Sequence, residues 1–303
     1  MTETVSSIRE AGIKFWMLTG DSMETAINVG FSCKLLDQGT QIFRIDQASK
    51  QDIMKYLTMV LKNIQRHERQ REQASQNHSP YPEYAAVVTG GGFLKIQQSL
   101  RLLDCFMELA LTSRALIACR FSPSQKAQLA ELLKQYQPRR TTLAVGDGVN
   151  DINMMREADI AVSLTANASL ISSEGGNHAL RSADYSIGQF KHMKPLLLVH
   201  GRESYRKNSH VVIFSIYKNL LLMLPIVLFS AYCGFSGLQV YDDWLFHLYS
   251  VLFTSVPIVV YGVMDMQFEK EAFLHHPVLY EDGIEAQLLG GRTFVQWLLY
   301  AAF

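Results

Sequence analysis

The stretch that most limits what this chain can become is "VVIFSIYKNLLLMLPIVLFSAYC", residues 211–233, which carries one charge in 23 residues. A second run, "WLFHLYSVLFTSVPIVVYGVM" (244–264), holds no charge apart from His247. As helices, each is long enough to cross a hydrocarbon layer of roughly 30 Å. Two such runs in succession predict a transmembrane helical hairpin rather than a pair of buried core helices. The final ten residues, "FVQWLLYAAF", read as the start of a third span that is expected to be truncated.

The charges flanking these runs orient them. Lys191, Lys194, Arg202, Arg206 and Lys207 lie in the amphipathic segment before the first run, whereas the turn between the runs has no Lys or Arg. Lys270 and Arg292 follow the second run. By the positive-inside rule, a stalk helix at 191–210 and a segment at 265–303 face the cytoplasm. The expected protein is therefore integral and multi-pass, with its soluble part cytoplasmic.

Residues 1–190 read differently. "IKFWML" (13–18), "AAVVT" (85–89), "ALIAC" (115–119) and "TTLAV" (141–145) predict buried strands, alternating with helices at 22–34, 94–113, 123–136 and 151–157. That alternation implies an α/β domain with a parallel sheet covered on both faces. Ligands of such sheets gather beyond the carboxyl ends of the strands. "TGD" (19–21) and "GDGVND" (146–151) both fall there. Residues 61–83 are strongly polar and predict the tail of a helix followed by an exposed loop, a solvated surface rather than a nucleic-acid patch. Lys+Arg and Asp+Glu balance at 28 each, which gives no electrostatic basis for a nucleic-acid partner. The four cysteines form no CxxC pair, so neither a disulfide framework nor a zinc site is expected. Met1 leads directly into a polar helical segment, without the pattern of a signal peptide.

Three pieces of chemistry converge at those strand ends. Asp147 and Asp151, beside Gly146 and Gly148, offer hard oxygen ligands of the kind magnesium takes. The glycines are expected to let the backbone turn tightly, and Asp151 either caps the following helix or holds the loop and a metal-bound water. Thr19 brings a hydroxyl, and the glycine beside it exposes backbone N–H groups that could bind a phosphoryl oxygen. Lys126, near the start of a helix opened by Pro123, is a surface lysine by itself and a phosphate clamp beside the other two. A hydroxyl, a lysine and a magnesium carboxylate are three parts of a haloacid-dehalogenase-type phosphoryl-transfer site. The fourth part is an aspartate nucleophile.

"MLTGDSMETAINVGFSCKLL", "IACRFSPSQKAQ", "VGDGVNDINMMREADIAV" and "LLLVHGRESYRKNS" occur in this order, and "FSIYKN" and "LYSVLFTSVP" follow in the apolar runs. Together they resemble the P-type ATPases, and within them the phospholipid-translocating flippases of the fourth type. The resemblance covers nearly the whole chain. It implies the C-terminal part of a haloacid-dehalogenase-like (Rossmannoid) phosphorylation domain with an incomplete sheet, followed by the fifth and sixth membrane helices. It further implies that Thr19, Gly20 and Asp21 line the phosphorylation and nucleotide site and that Lys126 contacts the phosphoryl group. Asp147 becomes a magnesium ligand, with Asn150 and Asp151 supporting the same loop, and Arg120 lies near bound nucleotide. Lys218, with Asn219 beside it, falls on the lipid pathway. ATP and Mg²⁺ are the implied cofactors and a membrane phospholipid the implied substrate; an accessory membrane subunit is a candidate partner.

Departures from the family pattern matter as much. The phosphorylated aspartate of the family lies in D-K-T-G-T, which does not occur in these 303 residues. Thr89 stands where the family has an acidic V-I-D-G, and Ser250 where flippases carry asparagine. Without a nucleophile, the chain alone is expected to form no phosphoenzyme. The alternative is a non-catalytic remnant or interaction protein that retains half of the pump fold. Ion pumps of the superfamily bind cations through carboxylates midway across the membrane, but the interiors of both runs lack Asp and Glu. Lys218, about 10 Å into the first run at 1.5 Å per residue, would repel cations. It suits a lipid phosphate, a polar neighbour such as Asn219, or a snorkelling position.

Overall fold

The computed structural model describes residues 1–46, 49–73, 83–165, 174–285 and 287–302. It divides into two units, Met1–Arg9 with Ile13–Met193, and Glu10–Gly12 with Lys194–Phe303.

Parallel strands with apolar residues at nearly every position are the signature of a sheet buried on both faces, and in the first unit Tyr84–Thr89 and Ala115–Cys119 follow this rule. Its strands are β1 (Phe15–Leu18), β2 (Gln41–Ile45), β3 (Tyr84–Thr89), β4 (Ala115–Cys119), β5 (Leu143–Gly146), β6 (Ile160–Leu164) and β7 (Tyr185–Ile187). Its helices are α1 (Thr2–Glu10), α2 (Met23–Ser32), α3 (Lys50–Gln73), α4 (Gly90–Gln97), α5 (Leu100–Thr112), α6 (Pro123–Tyr136), α7 (Ile152–Glu157) and α8 (Glu174–Arg181). The side-chain period of two sorts β3 cleanly. Ala86 and Val88 face a core built with α3, α4 and α5, in which Ile53, Leu57, Phe93 and Phe106 are fully buried. Ala85 and Val87 face the opposite core, with Val5 of α1 and Ala26 and Ile27 of α2.

Among the described residues, all strand pairs are parallel. They form two ladders rather than one sheet, in the orders β1-β4-β3-β2 and β5-β6-β7. β1 and β5 are therefore both edges. They approach each other through Leu18, which packs on the Ala144–Met154–Met155–Ala161 cluster.

Three strands go beyond the sequence expectation: β2, β6 and β7. The helix expected at 94–113 is two helices, α4 and α5, with Ser99 at the second N-cap position in extended conformation. The polar helix tail continues to Gln73 as part of α3, and the expected loop at 74–82 lies outside the described residues.

Among the described residues, two helices are long and apolar enough to cross a membrane, Phe190–Tyr232 and Asp243–Met264. The first contains a π turn at Leu196–Gly201 and then α9 (Arg202–Tyr232). The second consists of α10 (Asp243–Leu248), a π turn at Tyr249–Phe253 and α11 (Ser255–Met264). The ends of these two helices away from the turn that joins them are clamped. Arg206 bonds Asp265 at 2.7 Å and Glu203 at 3.1 Å, and Lys207 donates to the Gly262 carbonyl at 2.8 Å. After α12 (Lys270–His275), a last helix, α13 (Gly291–Ala302), lies along α9, where Trp297 meets the rings of His210 and Tyr217.

Candidate functional site

Three loops beyond the strand ends build the site. The loop after β1 is stitched to the loop after β4 by backbone bonds that prolong the ladder. Thr19 N–H donates to the Ala118 carbonyl at 2.8 Å, Arg120 N–H to that of Asp21 at 2.9 Å, and Phe121 N–H to that of Thr19 at 3.1 Å. Thr19 Oγ1 donates to Asp21 Oδ2 at 2.8 Å and accepts the Asp21 N–H at 3.1 Å. The hydroxyl is thus held within the T-G-D turn; Gly20 and Asp21 are exposed.

Arg120 adopts a left-handed backbone, φ 53°, rare for a side chain of this size. Its carbonyl lies so close to Gly90 that a Cβ there could not fit. Gln125 secures the arrangement by donating to the Gly90 carbonyl at 2.9 Å and accepting the Ser122 N–H at 2.9 Å. Ser122 and Gln125 form a capping box that starts α6, with Pro123 in its first turn. The strained residue therefore sits at the turn that launches the helix bearing Lys126, and its own side chain stays exposed.

Lys126 Nζ reaches Asp151 Oδ1 at 2.8 Å, with 11% and 14% of the two side chains exposed. This corrects one of the alternatives for Asp151: the residue stands at the N-cap of α7 but makes no side-chain cap bond. Its carboxylate is aimed at the lysine instead. The reason given for the glycines also changes. Gly148 is extended (φ −137°, ψ 175°) with open space around its α-carbon, so no left-handed turn is needed there. Gly146 is required for room. A Cβ there would fall 2.5 Å from Asp151 Cβ and 2.9 Å from Met155 Sδ.

Asp147 and Asn150 are exposed on the same loop. Asp147 has no side-chain partner among the described residues, which leaves both of its oxygens available. No group of three or more His, Cys, Asp or Glu among the described residues could hold a metal by itself. The donor set nonetheless fits magnesium, which uses one or two carboxylates and completes its shell with water and phosphate oxygens. Cys119, one residue before Arg120, is not a competing nucleophile. Burial pushes its thiol up to about 11, outweighing the nearby Arg120, while Asp21 and Asp46 push the same way as burial.

One residue absent from the sequence reading is Asp46, just past β2, which accepts from Thr89 Oγ1 at 2.9 Å. Thr89 caps α4 by accepting the Gly92 N–H at 3.2 Å. A threonine can thus fill the N-cap position where the family pattern has an aspartate, with a carboxylate supplied from the neighbouring strand.

In the second unit, Lys218 Nζ donates to Thr254 Oγ1 at 3.2 Å, and Tyr249 donates to the Lys218 carbonyl at 3.3 Å. The expected polar neighbour, Asn219, is exposed and is not the partner. Thr254 is the better-placed acceptor because it follows the π turn, its own hydroxyl bonding the Tyr249 carbonyl at 2.9 Å.

Residues 180–303 match the family described as phospholipid-translocating P-type ATPase C-terminal. Phospholipid-transporting ATPase 2 of Arabidopsis thaliana is 39% identical over 297 residues, covering 97% of this chain and 25% of the relative. Phospholipid-transporting ATPase IH of Homo sapiens is 33% identical over 314 residues, covering 99% of this chain and 27% of the relative. Probable phospholipid-transporting ATPase 12 of Arabidopsis thaliana is 35% identical over 309 residues, with 98% and 25% covered. The chain spans about a quarter of the length of these relatives. With family motifs running in order from Thr19 to Lys218, it belongs to the phospholipid-translocating P-type ATPases of the fourth type.

Proposed function

We propose that this chain supplies the magnesium loop, the phosphate-contacting lysine and a membrane hairpin to an ATP-driven pump that moves phospholipid from the outer to the cytoplasmic leaflet. The observation that carries this reading is the Lys126–Asp151 pair beside a carboxylate, Asp147, that has no partner among the described residues. The pair fixes the loop and positions the lysine, and Asp147 is left to hold a cation. Bound magnesium would neutralise phosphate oxygens and orient them for in-line transfer. Lys126 would contact the phosphoryl group, Thr19 would turn its hydroxyl from Asp21 to a phosphoryl oxygen, and Asp21, Arg120 and Asn150 would approach the nucleotide.

In this reading residues 1–190 are part of a haloacid-dehalogenase-like phosphorylation domain, 191–210 a stalk, 211–233 and 244–264 membrane spans, and 265–303 a cytoplasmic segment and the start of a third span. The soluble part lies in the cytoplasm. The facing edges of β1 and β5 support a further parallel strand between them, which would join both ladders into one sheet. An aspartate at its carboxyl end would face Lys126 and Asp147 and become the aspartyl-phosphate. An accessory membrane subunit remains a candidate partner.

A second reading is a non-catalytic remnant or interaction protein that retains half of the pump fold. One experiment separates the two. The chain incubated with γ-labelled ATP and Mg²⁺ is expected to yield no acid-stable phosphoprotein. A chimera in which it replaces the matching quarter of Arabidopsis phospholipid-transporting ATPase 2 is expected to be labelled. A folded chimera without label would support the remnant, and label on the chain alone would refute the assignment of the nucleophile to another segment.

A further inference from the structure

Lys218 is the one charge in the first apolar run, and the second helix holds it at two points. Its ammonium Nζ donates to Thr254 Oγ1 at 3.2 Å, and its carbonyl accepts from the Tyr249 hydroxyl at 3.3 Å. These two partners bracket the π turn, Tyr249 as its first residue and Thr254 just past its last.

The turn decides which way the Thr254 hydroxyl faces. Its wide register brings the Thr254 N–H to the Tyr249 carbonyl, five residues back, at 3.1 Å. The Thr254 hydroxyl donates to that same carbonyl at 2.9 Å and lies 3.2 Å from the carbonyl of Ser250. A hydroxyl has a single proton. Here the proton is committed to the turn, so Thr254 offers Lys218 a lone pair and nothing else. With 7% of Thr254 exposed, water does not compete for that lone pair. An ammonium has three N–H donors. Among the described residues Thr254 is the hydrogen-bond partner of Nζ, and it takes one of the three. In a layer without water, the remaining two are costly to leave unmade.

We propose that Thr254 is a positioning residue for phospholipid recognition: it anchors one N–H of Lys218 and leaves the other two to the phosphate oxygens of a lipid. The proposal rests on the reading of Lys218 as a lipid contact and adds what holds the lysine in place. Without an anchor, a side chain of this length swings toward the nearest polar interface. Anchored, its charge stays among apolar side chains, where it attracts an anionic oxygen more strongly than in water. Valine keeps the shape of threonine and loses the acceptor, whereas serine keeps the acceptor and loses the methyl group. The two substitutions therefore separate anchoring from packing.

Dioleoylphosphatidic acid and dioleoylglycerol have the same chains and differ by the phosphate, so the ratio of the two reads phosphate recognition. The full chain in detergent is offered equal amounts of both, and retained lipid is read by native mass spectrometry. Basic residues outside the span add a constant background, so every variant is compared with the unsubstituted chain. Lys218→Gln is expected to lower the ratio about tenfold and Thr254→Val about fivefold, with helix content unchanged. Thr254→Ser should stay within about twofold of the unsubstituted chain. Added to Lys218→Gln, Thr254→Val should bring no further loss, because an anchor has no effect once the ammonium is gone. If the valine variant does not fold, Thr254→Ala takes its place in each comparison. A ratio untouched by Lys218→Gln would overturn the lysine reading and the proposal with it. A ratio lowered by Lys218→Gln but unchanged in Thr254→Val, lowered as much in Thr254→Ser, or lowered further in the double variant would overturn the proposal alone.

Discussion

Lys126 Nζ and Asp151 Oδ1 meet at 2.8 Å, joining the first turn of α6 to the loop after β5 with little of either side chain in water. Removing one partner of such a pair leaves the other charge without compensation. Lys126→Met should therefore lower stability by about 3 kcal/mol, and Lys126→Met with Asp151→Leu by much less. Urea titration followed by circular dichroism would measure both; equal losses would show that the pair does not hold the loop.

The two glycines of the loop should separate sharply. Gly146→Ala puts a Cβ 2.5 Å from that of Asp151 and is expected to cost about 1–3 kcal/mol by overpacking. Gly148→Ala enters open space on an extended backbone and should stay within about 0.5 kcal/mol. Thermal melts of the two variants side by side test this ordering.

Acid sensitivity should include a contribution from Asp159. The Thr142 backbone N–H, against partial burial and with help from Lys134 and the Thr142 hydroxyl, holds this carboxyl below its ordinary 3.8. A depressed carboxyl stabilises the fold above its unfolded value, and the benefit disappears as pH falls through the folded value. The loss should therefore fall below about pH 4 and be missing from Asp159→Asn. A variant whose acid limb matches that of the unsubstituted chain would refute the assignment.

Thr254→Val removes the hydroxyl that accepts from Lys218 and bridges the π turn. Inter-helix bonds of this kind contribute about 1 kcal/mol in membranes. The variant should loosen the hairpin by that amount in a detergent-unfolding titration, whereas Asn219→Ala should leave it unchanged.

Legibility in the sequence followed burial and distance along the chain. β3 and β4 could be read because nearly every position is apolar and buried. β2 could not, since exposed Gln41 and Arg44 interrupt the apolar residues of "QIFRI" at the sheet edge, and β7 is three residues with an exposed start. The division into two ladders left no local trace either, because edges are defined by what lies beside a strand. Within the site, Lys126, Asp147 and Asp151 are marked by spacing and residue type, but the Lys126–Asp151 bond links residues 25 apart. Asp46 and Thr254 are ordinary polar residues until folding places them beside Thr89 and Lys218. The signal available in advance for Asp46 was the threonine at position 89, an N-cap needing no acid of its own.

The central claim is tested most directly by lipid movement in the chimera with Arabidopsis phospholipid-transporting ATPase 2. Vesicles carrying it, given ATP and Mg²⁺, are expected to move a fluorescent phospholipid to the leaflet that faces the nucleotide. Asp147→Asn in this chain's residues should slow that movement about a hundredfold without loss of the folded protein. Transport that proceeds equally well after this substitution would contradict the account.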